Sequence, residues 1–120
     1  MPCRVLLVDD NGDFRSAARQ LLERHGFIVV AEAETGVSGI ERAQEHLPDL
    51  VLLDVQLPDL DGFEVAERLS GLEVPVDVIL TSSLDGTDFG ALVAGSSALG
   101  FVPKAELSAS AIEALLASAR

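Results

Sequence analysis

The sequence predicts an α/β domain, a five-stranded parallel sheet wound on both faces by helices. Short runs of β-branched residues and leucine, Val5-Leu6-Leu7-Val8 and Leu50-Val51-Leu52-Leu53, read as strands buried on both faces. Such runs alternate with segments of helical period, which is the signature of a βαβ series. Three of the runs also stop on charge. The first meets Asp9-Asp10, the second meets Asp54, and Phe101-Val102-Pro103 meets Lys104, the only lysine of the chain. In parallel sheets the ligand site lies outside the carboxyl ends of the strands. Three carboxylates and one ammonium would therefore converge on one rim.

The first strand is expected at about Arg4–Val8. A helix follows from about Asp13 to His25, with Phe14, Ala17, Ala18, Leu21 and Leu22 on its apolar face, Asp13 better placed than Asp9 or Asp10 to cap it and Gly26 as its stop. Ile28–Ala33 is the second strand. Thr35 can cap a helix that reaches about His46, where Leu47-Pro48 ends it. Leu50–Asp54 is the third strand, and Leu57 to Gly62 is a loop with strong turn chemistry. A short helix runs from about Gly62 to Leu69. Val76–Thr81 is the fourth strand, with Pro75 at its mouth. Asp88 to Ser97 is expected to be a helix, although Gly86, Gly90, Gly95 and Gly100 would each cost about 1 kcal/mol against Ala if they fell in a helix interior. Gly100–Pro103 is the fifth strand. The last helix starts near Ser108, with Leu107 and Ile112 as a hydrophobic staple and Ser110/Glu113 as an alternative capping box. Its buried stripe is Ile112, Leu115, Leu116 and Ala119.

At 120 residues this is one domain, large enough to bury a core without disulfides or metal staples. Twenty acids against eight bases give a net charge of -12, the wrong sign for gripping nucleic acid or anionic lipid. Cys3 is alone, so no internal disulfide forms. No apolar stretch approaches the roughly 18 residues that span a bilayer, and no signal peptide is evident. A cytoplasmic protein is expected.

An aspartate after a strand is commonly just the N-cap of the next helix, and a lysine is commonly just solvated. Capping explains Asp54 poorly, because Val55-Gln56-Leu57-Pro58 is a loop rather than a helix start. Co-occurrence at three strand ends weighs further against it. Carboxylates crowded together repel unless a cation sits among them. An oxygen-only ligand set without Cys or His suits a hard divalent ion that keeps several waters, Mg2+ above all. His25 and His46 fall at helix C-termini, where they complement the dipole. Such an ion beside a lysine is a clamp for a phosphoryl group, and a free carboxylate can then attack phosphorus. Thr81, Ser82 and Ser83, at the end of the fourth strand, each offer a hydroxyl to a phosphoryl oxygen.

With these residues assembled, the chain resembles the receiver domain of bacterial two-component response regulators over essentially residues 1–120. The resemblance rests on Asp9-Asp10, on Leu53-Asp54-Val55-Gln56-Leu57-Pro58-Asp59-Leu60-Asp61-Gly62, on Thr81-Ser82-Ser83 and on Phe101-Val102-Pro103-Lys104. It implies a flavodoxin-like fold with strand order 2-1-3-4-5 and five flanking helices. It implies that a sensor histidine kinase supplies a phosphoryl group to Asp54. Asp10 and Asp54 would ligate Mg2+ directly, Asp9 mostly through water, and the Gln56 carbonyl would add a further ligand. Lys104 would pair with Asp54 and then with the phosphoryl oxygens. A switch hydroxyl would move toward the phosphate while Phe101 turns inward behind it. Counting back from Lys104 without insertion puts that hydroxyl at Ser82, and a one-residue shift puts it at Thr81. Several features depart from the family pattern, among them Ser96-Ser97-Ala98 in place of the more usual Ala-Gly-Ala and a glycine-laden fourth helix. Ala105 follows Lys104 where proline is common, which puts the usual cis peptide in doubt, and tyrosine is absent, so Phe101 can report only by packing.

The function expected on this resemblance is a phosphoacceptor switch, read by a downstream protein or output domain, with no nucleic acid bound by the domain itself. A stand-alone receiver is favoured over the front of a longer regulator, and the oligomeric state is left open. Three rivals fit less well, one of them a degenerate receiver that never receives phosphate, disfavoured because the required residue types are all present. A flavodoxin-like cofactor binder would need a Ser/Thr/Gly-rich phosphate loop where Asp9-Asp10-Asn11 stands. An aspartyl phosphohydrolase would want a second acid where Gln56 stands.

Overall fold

The computed structural model describes residues 2–73, 76–83 and 93–118. Strands form where the apolar runs place them: β1 (Arg4–Val8), β2 (Ile28–Ala33), β3 (Leu50–Asp54), β4 (Asp77–Ser82) and β5 (Gly100–Pro103). They make one parallel sheet in the order β2-β1-β3-β4-β5. Four strands match the sequence reading at both ends, and β4 lies one residue later than expected.

Strand alternation divides the core in two. Val5, Leu7, Leu50, Leu52, Ile79 and Val102 pack beneath α1 (Gly12–Arg24) and α4 (Ala109–Ser118). Leu6, Val8, Val51, Leu53, Val78 and Leu80 pack beneath α2 (Gly36–His46) and α3 (Gly62–Ser70). Burying one such side chain contributes about 1.5–3 kcal/mol, more than a typical cap at about 1 kcal/mol. Sheet burial therefore decides where the strands end. Register does the rest. Val8 lies opposite Leu53, so Asp9 and Asp54 leave the sheet side by side. Asp54 lies opposite Thr81, and Ser82 lies opposite Pro103, which brings Lys104 onto the same rim.

The helices correct several expectations. Asn11, not Asp13, caps α1, its side chain accepting from the amides of Asp13 and Phe14. Asp13 then sits in the first turn, where it still complements the dipole. Ala17 is exposed, and the buried line of α1 runs through Ala18 and Leu22 with Phe14 and Leu21 beside it. Thr35 caps α2 as expected, in a reciprocal box with Ser38. Leu47 ends that helix in the left-handed region at φ 47°. Ser108 rather than Ser110 caps α4, accepting from the Ala111 amide, and Leu107 and Ile112 pack in one cluster as a staple requires. Ala109 adds to the buried face of α4, whereas Ala119 and Pro75 lie outside the described residues. The described residues hold four α-helices rather than five. Of the helix expected over Asp88 to Ser97, positions 88–92 lie outside the described residues, and Val93 and Ala94 are helical.

Candidate functional site

β1 and β3 each deliver an aspartate to the rim in the same local turn. Asp9 Oδ1 accepts from the Asn11 amide at 2.8 Å, and Asp54 Oδ1 accepts from the Gln56 amide at 3.0 Å. Both carboxylates are buried, at 2% and 5% exposure. Lys104 reaches both from the first turn after β5, its Nζ 2.7 Å from Asp9 Oδ2 and 3.3 Å from Asp54 Oδ2. The ammonium also lies over the Phe14 ring, 4.5 Å from its centroid. No cis peptide occurs among the described residues.

Two buried negative charges thus share one positive charge. A buried ion costs several kcal/mol unless it is well paired, so the balance is unfavourable in the protein alone. Burial pushes the Asp54 carboxyl above its ordinary value and the Asp9 charge adds to this, while the Gln56 amide and Lys104 pull the other way. Burial works against the Lys104 ammonium, but its bond to Asp9 and the charges of Asp54 and Asp9 outweigh it, and its pKa is raised. Lys104 therefore stays a fixed cation at neutral pH.

Asp10 is exposed, and among the described residues its side chain makes no hydrogen bond or ion pair. One carboxylate oxygen from each of Asp9, Asp10 and Asp54 lies within 4.8 Å of the others. Asp9 Oδ2 is buried, and its contact among the described residues is the Lys104 ammonium at 2.7 Å. An all-oxygen donor set and two buried carboxylates sharing one ammonium, with Asp10 beside them, fit a hard divalent cation.

The loop after β3 is held by features that the sequence reading passed over. Asp61 caps α3 by accepting from the Glu64 amide, a role its Asp-x-x-Glu spacing could have signalled. Gln56 and Asp61 form an isolated antiparallel bridge, and the Gly62 amide donates to Val55 O at 2.7 Å. Gly62 permits this closure, since a Cβ there would meet Asp54 O at 2.6 Å and Val55 Cα at 2.7 Å. Asp59 reaches across to α2, where its two oxygens accept from the Gly36 and Val37 amides at 2.8 and 3.0 Å. Those amides, Val37 foremost, hold the Asp59 carboxyl below its usual value. No spacing rule marks a contact across 22 residues.

At the end of β4, Thr81 and Ser82 are both buried. Alternation along the strand puts Ser82 on the Leu80 face, where Leu80 pairs with Phe101. Thr81 follows Ile79 on the opposite face, opposite Asp54 in register.

A parallel sheet in this order, with carboxylates after β1 and at the end of β3 and a lysine after β5, is the arrangement of a receiver domain. The chain belongs to the response regulator receiver domain family, whose sequence profile it matches over residues 5–116. It is 40% identical over 103 residues to the transcription regulator BvgA of Bordetella pertussis, covering 86% of this chain and 49% of BvgA. It is 36% identical over 84 residues to the chemotaxis protein CheY of Bacillus subtilis, covering 70% of each. The structure of the NarL signal receiver domain from Mycobacterium tuberculosis superposes with TM-score 0.85 at 33% identity, covering 98% of this chain and 96% of that one. This chain spans about half the length of BvgA. It is a response regulator receiver of two-component signalling. Among the described residues, no helix is long and apolar enough to cross a membrane.

Proposed function

We propose that Asp54 accepts a phosphoryl group from a sensor histidine kinase and that the modified rim changes what the domain binds. The observation that carries this is the placement of Asp54 at the open end of β3, beside Lys104 and level with Asp9. A carboxylate oxygen of Asp54 attacks the phosphorus of a phosphohistidine. A P–O bond forms, the P–N bond breaks, and the imidazole departs with the electron pair. Lys104, already held between Asp9 and Asp54, is placed to neutralise phosphoryl oxygens.

Asp9, Asp10 and Asp54, with the Gln56 carbonyl, would hold Mg2+, which when bound offsets the negative charge of the incoming group. Ser82 is the switch hydroxyl in this reading, because it shares a sheet face with Phe101 and Thr81 does not. Movement of Ser82 toward the phosphate would vacate space that Phe101 can fill. A downstream protein or an output domain reads that face. The lone cysteine and the excess of acids suit a cytoplasmic setting, without nucleic-acid contacts by this domain.

Beryllofluoride with Mg2+ tests the reading through amide NMR spectra. Shifts are expected around Asp54, Ser82 and Phe101, and unchanged spectra would overturn it. Ser82→Ala should uncouple the Phe101 shifts while leaving those at Asp54, and Thr81→Ala should not. The reverse order would move the switch to Thr81.

A further inference from the structure

Arg15 does not belong to the acidic rim, yet its guanidinium is built into the backbone of that rim. From the first turns of α1 it donates through Nη1 to the main-chain carbonyl of Asp9, the peptide that joins the two rim acids of β1. Its Nε bonds Glu32 Oε1 on β2 at 3.0 Å, and Nη2 lies 3.5 Å from Glu34. Glu32 is held from its other oxygen by Arg19 at 2.8 Å, and Arg19 pairs in turn with Glu23. The side chain of Arg15 is only 14% exposed. A long cationic side chain is rarely buried to that degree unless its donors are used.

The neighbouring acids show what this contact controls. Asp9 is fixed by its own turn, by its amide bond to Ala33 O and by Lys104. Asp10 has no side-chain partner among the described residues, so only its backbone places its carboxylate. That backbone begins at the carbonyl Arg15 holds. We infer that Arg15 is a positioning residue for the cation site, fixing the Asp9–Asp10 peptide so that Asp10 faces Asp9 and Asp54, with Glu32 and Arg19 holding Arg15 in place. This rests on the proposed role of Asp9, Asp10 and Asp54 in holding Mg2+.

Coulomb's law and positioning predict opposite signs here. Removing a cation near a cation site should tighten Mg2+ binding if charge alone matters. Loss of a contact that orients a ligand weakens metal binding, by about 10-fold at the lower end of such effects. Isothermal titration of Mg2+ into the metal-free protein should therefore show Arg15→Met about 10-fold weaker than wild type. Arg15→Lys, which keeps the charge and loses the fork, should also bind more weakly. Glu32→Gln should fall between Arg15→Met and wild type. A second readout needs no metal: the Asp10 and Asn11 amides of Arg15→Met should shift and exchange faster, with the α4 amides unchanged. The Ala18 and Leu22 amides, deeper in α1, should exchange as in wild type, which separates this effect from a general loosening of the helix. Equal or tighter Mg2+ binding by Arg15→Met, or full rescue by Arg15→Lys, overturns the inference alone. A wild-type protein that binds no Mg2+ overturns the site reading and this inference together.

Discussion

The ends of β1 and β3 carry the same device with different supports. In each, an aspartate leaves the sheet and bonds the amide two residues on. After Asp9 the chain turns at once into α1 at Asn11, and Lys104 lies closer to Asp9 than to Asp54. After Asp54 seven residues intervene before α3, tied by the Gln56–Asp61 bridge, the Gly62 amide and the reach of Asp59 to α2. One turn built straight onto a helix makes a fixed support. The same turn followed by a loop leaves Asp54, likewise buried, with the longer Lys104 contact and a support built from the loop itself. On the proposed function, identical local chemistry would thus serve a holder at Asp9 and an acceptor at Asp54.

The contrast breaks most severely at Gly62. Gly62→Ala would drive a Cβ into the backbone of Asp54 and Val55, where no side chain can yield. Denaturation followed by circular dichroism should show a loss of about 2–3 kcal/mol, with phosphoacceptance impaired. Stability within about 0.5 kcal/mol of wild type would mean that the loop is not held at that closure.

A smaller effect of opposite sign is expected at the acceptor. The folded Asp54 keeps its proton to higher pH than the unfolded chain does. Stability therefore falls as pH rises from the ordinary carboxylate value to the raised one, and stays reduced above it. Without divalent metal, Asp54→Asn should flatten that fall and be more stable than wild type near pH 7. Asp9→Asn removes the shorter Lys104 pair and should gain less. Equal gains from both would erase the distinction between holder and acceptor.

The mildest test concerns Asp59. Asp59→Ala should speed hydrogen exchange at Gly36 and Val37 while leaving α4 untouched. Acid should mimic it. The Asp59 pKa is lowered in the folded state, so its support is complete above the ordinary carboxylate value and fades as pH falls through the lowered one. Unchanged exchange in the variant would remove the proposed tie between the β3 loop and α2.

Strands and rim acids were legible because apolar runs ending on charge are a local signal. Four strands match to the residue, and Asp9, Asp54 and Lys104 meet as their positions implied. The cap at Asn11 was not legible, since Asp9, Asp10, Asn11 and Asp13 all offer capping oxygens, and the choice follows from Asp9 turning the chain two residues earlier. Ala17 misled for a related reason: alanine tolerates either face, and the buried line of α1 lies nearer Arg15. Arg15 and Asp59 act on partners distant in sequence or on backbone atoms, which no side-chain pattern encodes.

The most direct measurement locates the phosphoryl group itself. The protein would be incubated with acetyl phosphate and Mg2+, reduced with borohydride to trap an acyl phosphate, and mapped by peptide mass spectrometry. Modification at Asp54, lost in Asp54→Asn and absent from Asp9 and Asp10, is the predicted result. Modification at Asp9 or Asp10, or none in the wild-type protein, would contradict the assignment of β3 as the acceptor strand.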